Sequence, residues 1–349
     1  MNICSKIRRD ASKIQNQNPT HVSVDVNKID AFVVSLTSEA IQSILYHSFD
    51  SELHFFDPTD PALTVHFHFV IDTINFCFFN DGTFEYQHLV RGLKAAVLND
   101  RQALSPANLI KMTPINLRRL LRWESPLPLE EERVRLLKEL GHALCSSSPS
   151  SSPSSSTDTA AINIVHSAQG SAVKLVEIIT SLLPGFRDHT IHPTTGQLFF
   201  YKRAQILVGD IWGAFKGQGP GEFKDIDQLT MFADYRVPQI LRHLGMLKYS
   251  KELGAKVDGK EMMQAGGLEE TEIRSGTIHA VEVMKMKIEE RLRNEEGGAG
   301  GGGGREGGEE ERERTGGINS VQLDWWLWEW GEREKDTLKP HHRVMTIYY

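Results

Sequence analysis

The chain has 349 residues, 40% of them hydrophobic and 24% charged, proportions that let a soluble globule bury one large core or two small ones. The net charge of −7 argues against a broad electrostatic grip on nucleic acid, so any bound phosphate has to be met by a local cluster of cations. Cys4, Cys77 and Cys145 show neither CxxC spacing nor an even count, which argues against a disulfide framework or a thiolate zinc site and fits a reducing compartment.

At the N-terminus, Lys6, Arg8 and Arg9 are not followed by an apolar stretch, so no secretory signal is expected. No apolar run approaches the roughly 18 residues of a membrane span, and a cytoplasmic protein is expected. HFHFVIDTINFCFF (66–79) alternates in part and reads as a strand. His66 and His68 would then share a strand face with no carboxylate or cysteine in register, so no metal site is expected. Asp72 and Asn75 would order a pocket wall or cap a turn.

LEEERVRLLKELGHAL (129–144) reads as a helix with Val134, Leu137 and Leu140 on one face and Gly141 as its stop. SAVKLVEIITSLL (171–183) repeats the period and stops at Pro184-Gly185, and GQLFFYKR (196–203) is expected to form a short hairpin arm. Residues 203–212 and 238–247 read as helices, and 273–293 as a long amphipathic one. Two stretches, 146–157 (Ser/Pro) and 295–317 (Gly/Glu/Arg), lack the apolar residues to offset the entropy of ordering and are expected to be mobile surface insertions. The whole reads as mainly α with minor β.

The segment 223–239 places acidic, cationic and aromatic groups inside an otherwise apolar run. A carboxylate taken out of water loses several kcal/mol of solvation unless a partner or ligand compensates it, which singles out Asp234. Its residues alone leave two readings open: a cap or ion-pair partner for the helix beginning near Pro238, or a catalytic carboxylate beside the rings of Phe232 and Tyr235. Lys202, Arg203, Lys224 and Arg236 together offer a local positive cluster, although each alone reads equally well as a solvated surface charge.

FKDIDQLTMFADYRVPQILRHLG (223–245), YKRAQILVGDIW (201–212) and QLDWWLWEW (322–330) resemble the queuosine salvage protein family, the queuosine 5′-phosphate N-glycosylase/hydrolases. The resemblance is close from about residue 162 to 349. Before that it is patchier, with VIDTINFCFF and PLPLEEERVRLLKELG the best matches. It runs across both biased stretches, which implies a single domain over 1–349 with lengthened loops. It further implies a fold similar to the helix-hairpin-helix DNA glycosylases, a small-molecule substrate in queuosine 5′-monophosphate, no cofactor, and no direct nucleic-acid or membrane partner.

On this resemblance Asp234 is the nucleophile or the stabiliser of an oxocarbenium-like ribosyl, with Phe232, Ala233 and Tyr235 beside the substrate. His54, in SELHFFDP, aligns with a position that contacts the base. Asp324 accepts from the guanine-like edge, and Glu329 replaces a carboxylate one methylene shorter in the family's LDxxLWD. Lys202 is the leading ligand of the 5′-phosphate. Most of Trp325, Trp326, Trp328 and Trp330 are expected to pack into the core. Queuine is a 7-deazaguanine whose carbon at position 7 takes no proton, so the leaving base has to be stabilised at its polar edge. The chain departs from the family's WSLxAAxNRAL helix, carrying Gln87-His88 where the Trp would stand in a shortened 80–100 segment. A queuine carrier without turnover and a nucleic-acid base glycosylase of the same fold are the competing readings.

Overall fold

The computed structural model describes residues 1–46, 49–50, 52–79, 84–146, 159–298 and 317–349. Among these the backbone is mainly helical with three short two-stranded pairings, as composition and periodicity imply. The chain divides into two units. One comprises Met1–Ser48, His189–Phe200 and Ile226–Val344, the other Phe49–Asp188, Tyr201–Asp225 and Met345–Tyr349. Residues 147–157 and 299–316 of the two biased stretches lie outside the described residues. No described helix is long and apolar enough to cross a membrane.

In the first unit the helix Leu268–Gly298 is the central element, packed by Ile3–Asn16, Val26–Ser35, Arg236–His243 and Ser320–Glu334. It covers the expected 273–293 and continues to Gly298, into a part expected to be loop. Glu272 on this helix accepts the amides of Thr20, His21 and Val22 at 3.0, 2.6 and 3.0 Å, fixing the start of strand Val22–Val24. That strand pairs antiparallel with Leu247–Tyr249. The expected hairpin is present as His189–His192 against Gly196–Phe199, with Gly196 at φ +79° making the turn.

The helix expected over 238–247 runs instead from Arg236 to His243. Gly245 takes φ +73°, its amide bonds to the Arg242 carbonyl and the Met246 amide to the Leu241 carbonyl. This is the left-handed glycine termination that turns a chain out of a helix, here into the strand at Leu247.

In the second unit the expected strand at 66–79 is a helix over Pro61–Thr73, followed by irregular backbone in which Cys77 takes φ +53°. Asp60 caps it by accepting the Leu63 amide at 3.0 Å, and Pro61 fills its first turn. Every residue from Leu63 to Thr73 is buried, so the helix has no polar stripe and its His-Phe alternation carries no information about a sheet. Carbonyls at the end of this helix and just beyond it are met by two buried arginines. Arg133 donates to Ile74, Phe76 and Cys77, and Arg203 to Thr73 and Asp72, as well as to Gly185.

Gly141 does not stop its helix, which runs over Glu130–Ser146. A Cβ at Gly141 would lie 2.8 Å from the Pro106 carbonyl oxygen, so the glycine lets Pro106–Ile110 approach closely. The helix Ala172–Leu182 does end at Pro184-Gly185, which form a 3₁₀ turn, and Lys202–Ala214 covers the expected 203–212.

Candidate active site

In the first unit three consecutive residues are held from three directions. The Phe232 amide donates to Asp324 Oδ1 at 2.9 Å. The Ala233 carbonyl accepts from Arg274 Nε at 3.1 Å. Asp234 Oδ1 accepts the amides of Arg236 and Val237, both at 3.0 Å, in the first turn of Arg236–His243. The capping arrangement is therefore real, and it orients a buried carboxylate against the positive end of a helix dipole. Asp324 is itself positioned by the helix Ser320–Glu334, whose start is fixed by a reciprocal Asn319–Gln322 capping box. Arg274, buried on the long helix with its guanidinium 4.0 Å from the Phe200 ring centroid, was not among the expected site residues. Its only sequence signal is a charge on the inner face of an amphipathic run.

Phe232 and Ala233 are buried, and Tyr235 stacks on His341 with ring centroids 4.4 Å apart. His341 Nδ1 donates to the His342 carbonyl at 2.7 Å. Burial pushes His341 down to about 4 and His342 to about 3, with Arg236 and Arg343 acting further on the former and His341 and Arg274 on the latter. Neither histidine sits in a motif, and sequence reading missed both.

Arg236 is engaged within the unit, Nε being ion-paired to Glu332 at 2.7 Å and Nη1 donating to Gln239 Oε1 at 2.5 Å. Gly331 makes room for it, since a Cβ there would meet Arg236 Cγ at 2.9 Å. The four tryptophans are half-buried rather than core. Trp326 donates to Ser43 Oγ at 3.2 Å, and Trp330 stacks on Phe32. Along the same helix Asp324 is buried and Glu329 exposed, so the two carboxylates do not share a face.

In the second unit His54 is buried with both ring nitrogens engaged. Nδ1 lies 2.8 Å from the Asp50 carbonyl, and Nε2 2.8 Å from the Tyr86 hydroxyl. A carbonyl only accepts, so Nδ1 carries the proton. Burial holds the imidazole neutral, down to about 4, which leaves Nε2 to accept from Tyr86. The Tyr86 hydroxyl is kept protonated by burial and by the nearby charges of Asp210, Asp72 and Asp50. Tyr86 opens the helix Tyr86–Asn99, and His88 closes its capping box by accepting the Glu85 amide at 3.0 Å. His88 of the Gln87-His88 pair thus has a local task.

Lys202 begins its helix as expected. It is buried, its amide donates to Asp188 Oδ2 at 3.1 Å, and its charge acts on Asp72. Arg203 is fully buried, donates to backbone carbonyls and packs on Phe76 and Phe186, with burial pushing it down to about 10. Lys224 is exposed on the surface.

The helix over Pro61–Thr73 also corrects the histidine pair, because residues two apart on a helix point apart. His66 Nε2 bonds to the Leu104 carbonyl at 2.7 Å, while His68 lies one turn from Asp72. Asp72 is pushed up to about 7 by burial, opposed by a 3.1 Å hydrogen bond from Asn75 and by the charges of Lys202 and Arg203. His68 is held neutral by burial.

A family model described as "Queuosine salvage protein" matches residues 53–349. The chain belongs to the queuosine salvage protein family. Among relatives named queuosine 5′-phosphate N-glycosylase/hydrolase, that of Dictyostelium discoideum is 38% identical over 305 residues, covering 87% of this chain and 84% of its own length. The Bos taurus protein is 32% identical over 98% of both chains, and that of Sphaerobacter thermophilus 32% over 92% of both. The queuosine salvage match includes all the candidate residues, from His54 to Glu329, and segments of both units.

Proposed function

We propose that this chain hydrolyses the N-glycosidic bond of queuosine 5′-phosphate and releases queuine for reuse in transfer RNA. The observation that carries the reading is the family match over 53–349, together with relatives named for that reaction along most of their length. Asp234 supplies the carboxylate that meets positive charge at C1′ as the bond to the base lengthens. Its fixed orientation at a helix N-terminus supports that role, since a carboxylate already aimed needs little reorganisation in the transition state. Asp324 and His54 address the base, and Lys202 the 5′-phosphate. Arg203 and Arg236 have no part in phosphate binding on this reading.

The reading also treats 1–349 as one functional domain akin to the helix-hairpin-helix glycosylases and working in the cytoplasm. A mainly helical backbone and a family match that runs through segments of both units support it. The acidic balance favours a small-molecule substrate over a nucleic-acid duplex.

The test is incubation of the purified chain with queuosine 5′-phosphate, with unphosphorylated queuosine and with guanosine monophosphate, following free base by chromatography. Queuine appearing from the monophosphate, and much more slowly from the nucleoside, is the expected result. No release from any of them by a folded protein that still binds queuine would replace the hydrolase with a carrier.

A further inference from the structure

His68, Asp72 and Asp210 each place a donor atom within 4.8 Å of the other two, and all three residues are buried. The helix Pro61–Thr73 supplies His68 and Asp72 at positions i and i+4, hence on one face, and Lys202–Ala214 packs against it and supplies Asp210. His68 is 0% exposed, yet neither of its ring nitrogens has a hydrogen-bond partner, and Asp72 Oδ2 has none. Buried polar atoms in folded proteins are almost always satisfied, and a neutral imidazole carries both a donor and an acceptor that need company.

The surrounding cations do not resolve this. Arg203 spends its Nη atoms on carbonyls of the backbone, and Lys202 lies close enough to act on Asp72 but bonds neither nitrogen of His68. The three side chains converge, but His68 bonds to neither carboxylate. Donors within 4.8 Å of one another need to shift inward only slightly to surround a common centre, since ligands about 2 Å from a metal ion stand roughly 3–4 Å apart.

We propose that His68, Asp72 and Asp210 form a binding site for a divalent metal ion of the zinc or manganese class. One imidazole and two carboxylates are a donor set that such ions take. The ion would cross-link Pro61–Thr73 to Lys202–Ala214 within the second unit. Its role is structural, beside His54, whose ring centroid lies 6.0 Å from that of His68, and beside Lys202, whose charge acts on Asp72.

The full-length chain, stripped with a chelator, is equilibrated with ZnCl₂ or MnCl₂, gel-filtered and analysed for metal. The same is done for His68→Gln and Asp72→Asn. About one equivalent retained by the wild type and lost from both variants is expected, with a thermal midpoint that rises with metal only in the wild type. Weak binding by surface histidines is common to all three proteins, so the difference reports this site. Should the variants not fold, an anomalous difference map from wild-type crystals soaked in ZnCl₂ decides, by a peak among the three side chains. No retained metal, equal retention in both folded variants, or no anomalous peak among the three side chains would overturn the proposal.

Discussion

Asp324 Oδ1 accepts the Phe232 amide at 2.9 Å, tying residues 92 apart in sequence and fixing the chain two residues before Asp234. The carboxylate thus has a backbone to hold as well as a proposed base to recognise, and two substitutions separate these tasks. Asp324→Asn keeps an oxygen for the amide but loses the charge, so it should unfold in urea near the wild-type midpoint while its KM for queuosine 5′-phosphate rises about tenfold or more. Asp324→Ala strands a buried amide, at a cost of roughly 1–3 kcal/mol, and should lose stability and turnover together. Wild-type kinetics in the Asn variant would remove base recognition from Asp324.

Asp234 permits the same separation with the opposite emphasis. Asn caps helices about as well as Asp, so Asp234→Asn should preserve the bonds to the Arg236 and Val237 amides and stay within about 1 kcal/mol of wild-type stability. Its kcat should fall by about 10³-fold, the scale on which a group facing transition-state charge is felt. A stable Asn variant retaining a tenth of the wild-type rate would leave Asp234 as a cap and nothing more.

The His54 tautomer rests on Tyr86. With Nδ1 donating to the Asp50 carbonyl, the hydroxyl at Nε2 is the second constraint on the ring. Tyr86→Phe should raise KM about tenfold, the size of one buried hydrogen bond, with kcat changed less than threefold. Nitrogen chemical shifts of His54 should move from a pure Nδ1–H form to a mixture. Unchanged shifts would mean that Asp50 alone fixes the ring.

These relationships were unequally visible in the sequence. Asp234 stood out because a carboxylate in an apolar run has few uses, and Pro184-Gly185 and Gly196 marked real boundaries because their backbone chemistry is local. The helix Pro61–Thr73 was misread because periodicity reports contrast between faces, and a helix buried all round has none. The partners of Arg203 and Arg236 were not legible, because sequence shows their charge and not the carbonyls and Glu332 that they engage. His341 and His342 gave no signal, since burial alone makes them unusual.

Gly141 shows how one residue type supports opposite readings. Helix propensity alone predicts that Gly141→Ala gains about 1 kcal/mol in mid-helix. Here the added methyl would meet the Pro106 carbonyl oxygen at 2.8 Å, Ile110 Cγ1 at 2.9 Å and the Ile110 amide nitrogen at 3.0 Å, two of them backbone atoms that cannot swing aside. The variant should therefore be destabilised by roughly 1–3 kcal/mol, as overpacked sites are, with helix content by circular dichroism unchanged. A stabilised variant would show that Pro106–Ile110 yields easily.

His341 and His342 should make the first unit sensitive to mild acid. Burial holds them at about 4 and about 3, against about 6.5 for an exposed imidazole, and His341 faces the positive charges of Arg236, Arg343 and Lys260 while His342 faces Arg274 and His341. Between these values the unfolded chain binds protons that the folded chain refuses, so stability falls as pH drops through 6.5 and goes on falling towards 3. At pH 5 each ring should cost about 2 kcal/mol relative to pH 7. His342→Gln removes one of the two titrating groups, so the difference between its urea midpoints at pH 7 and pH 5 should be smaller than in the wild type, even where the variant is less stable at both. An unchanged difference would place the acid sensitivity elsewhere in the chain.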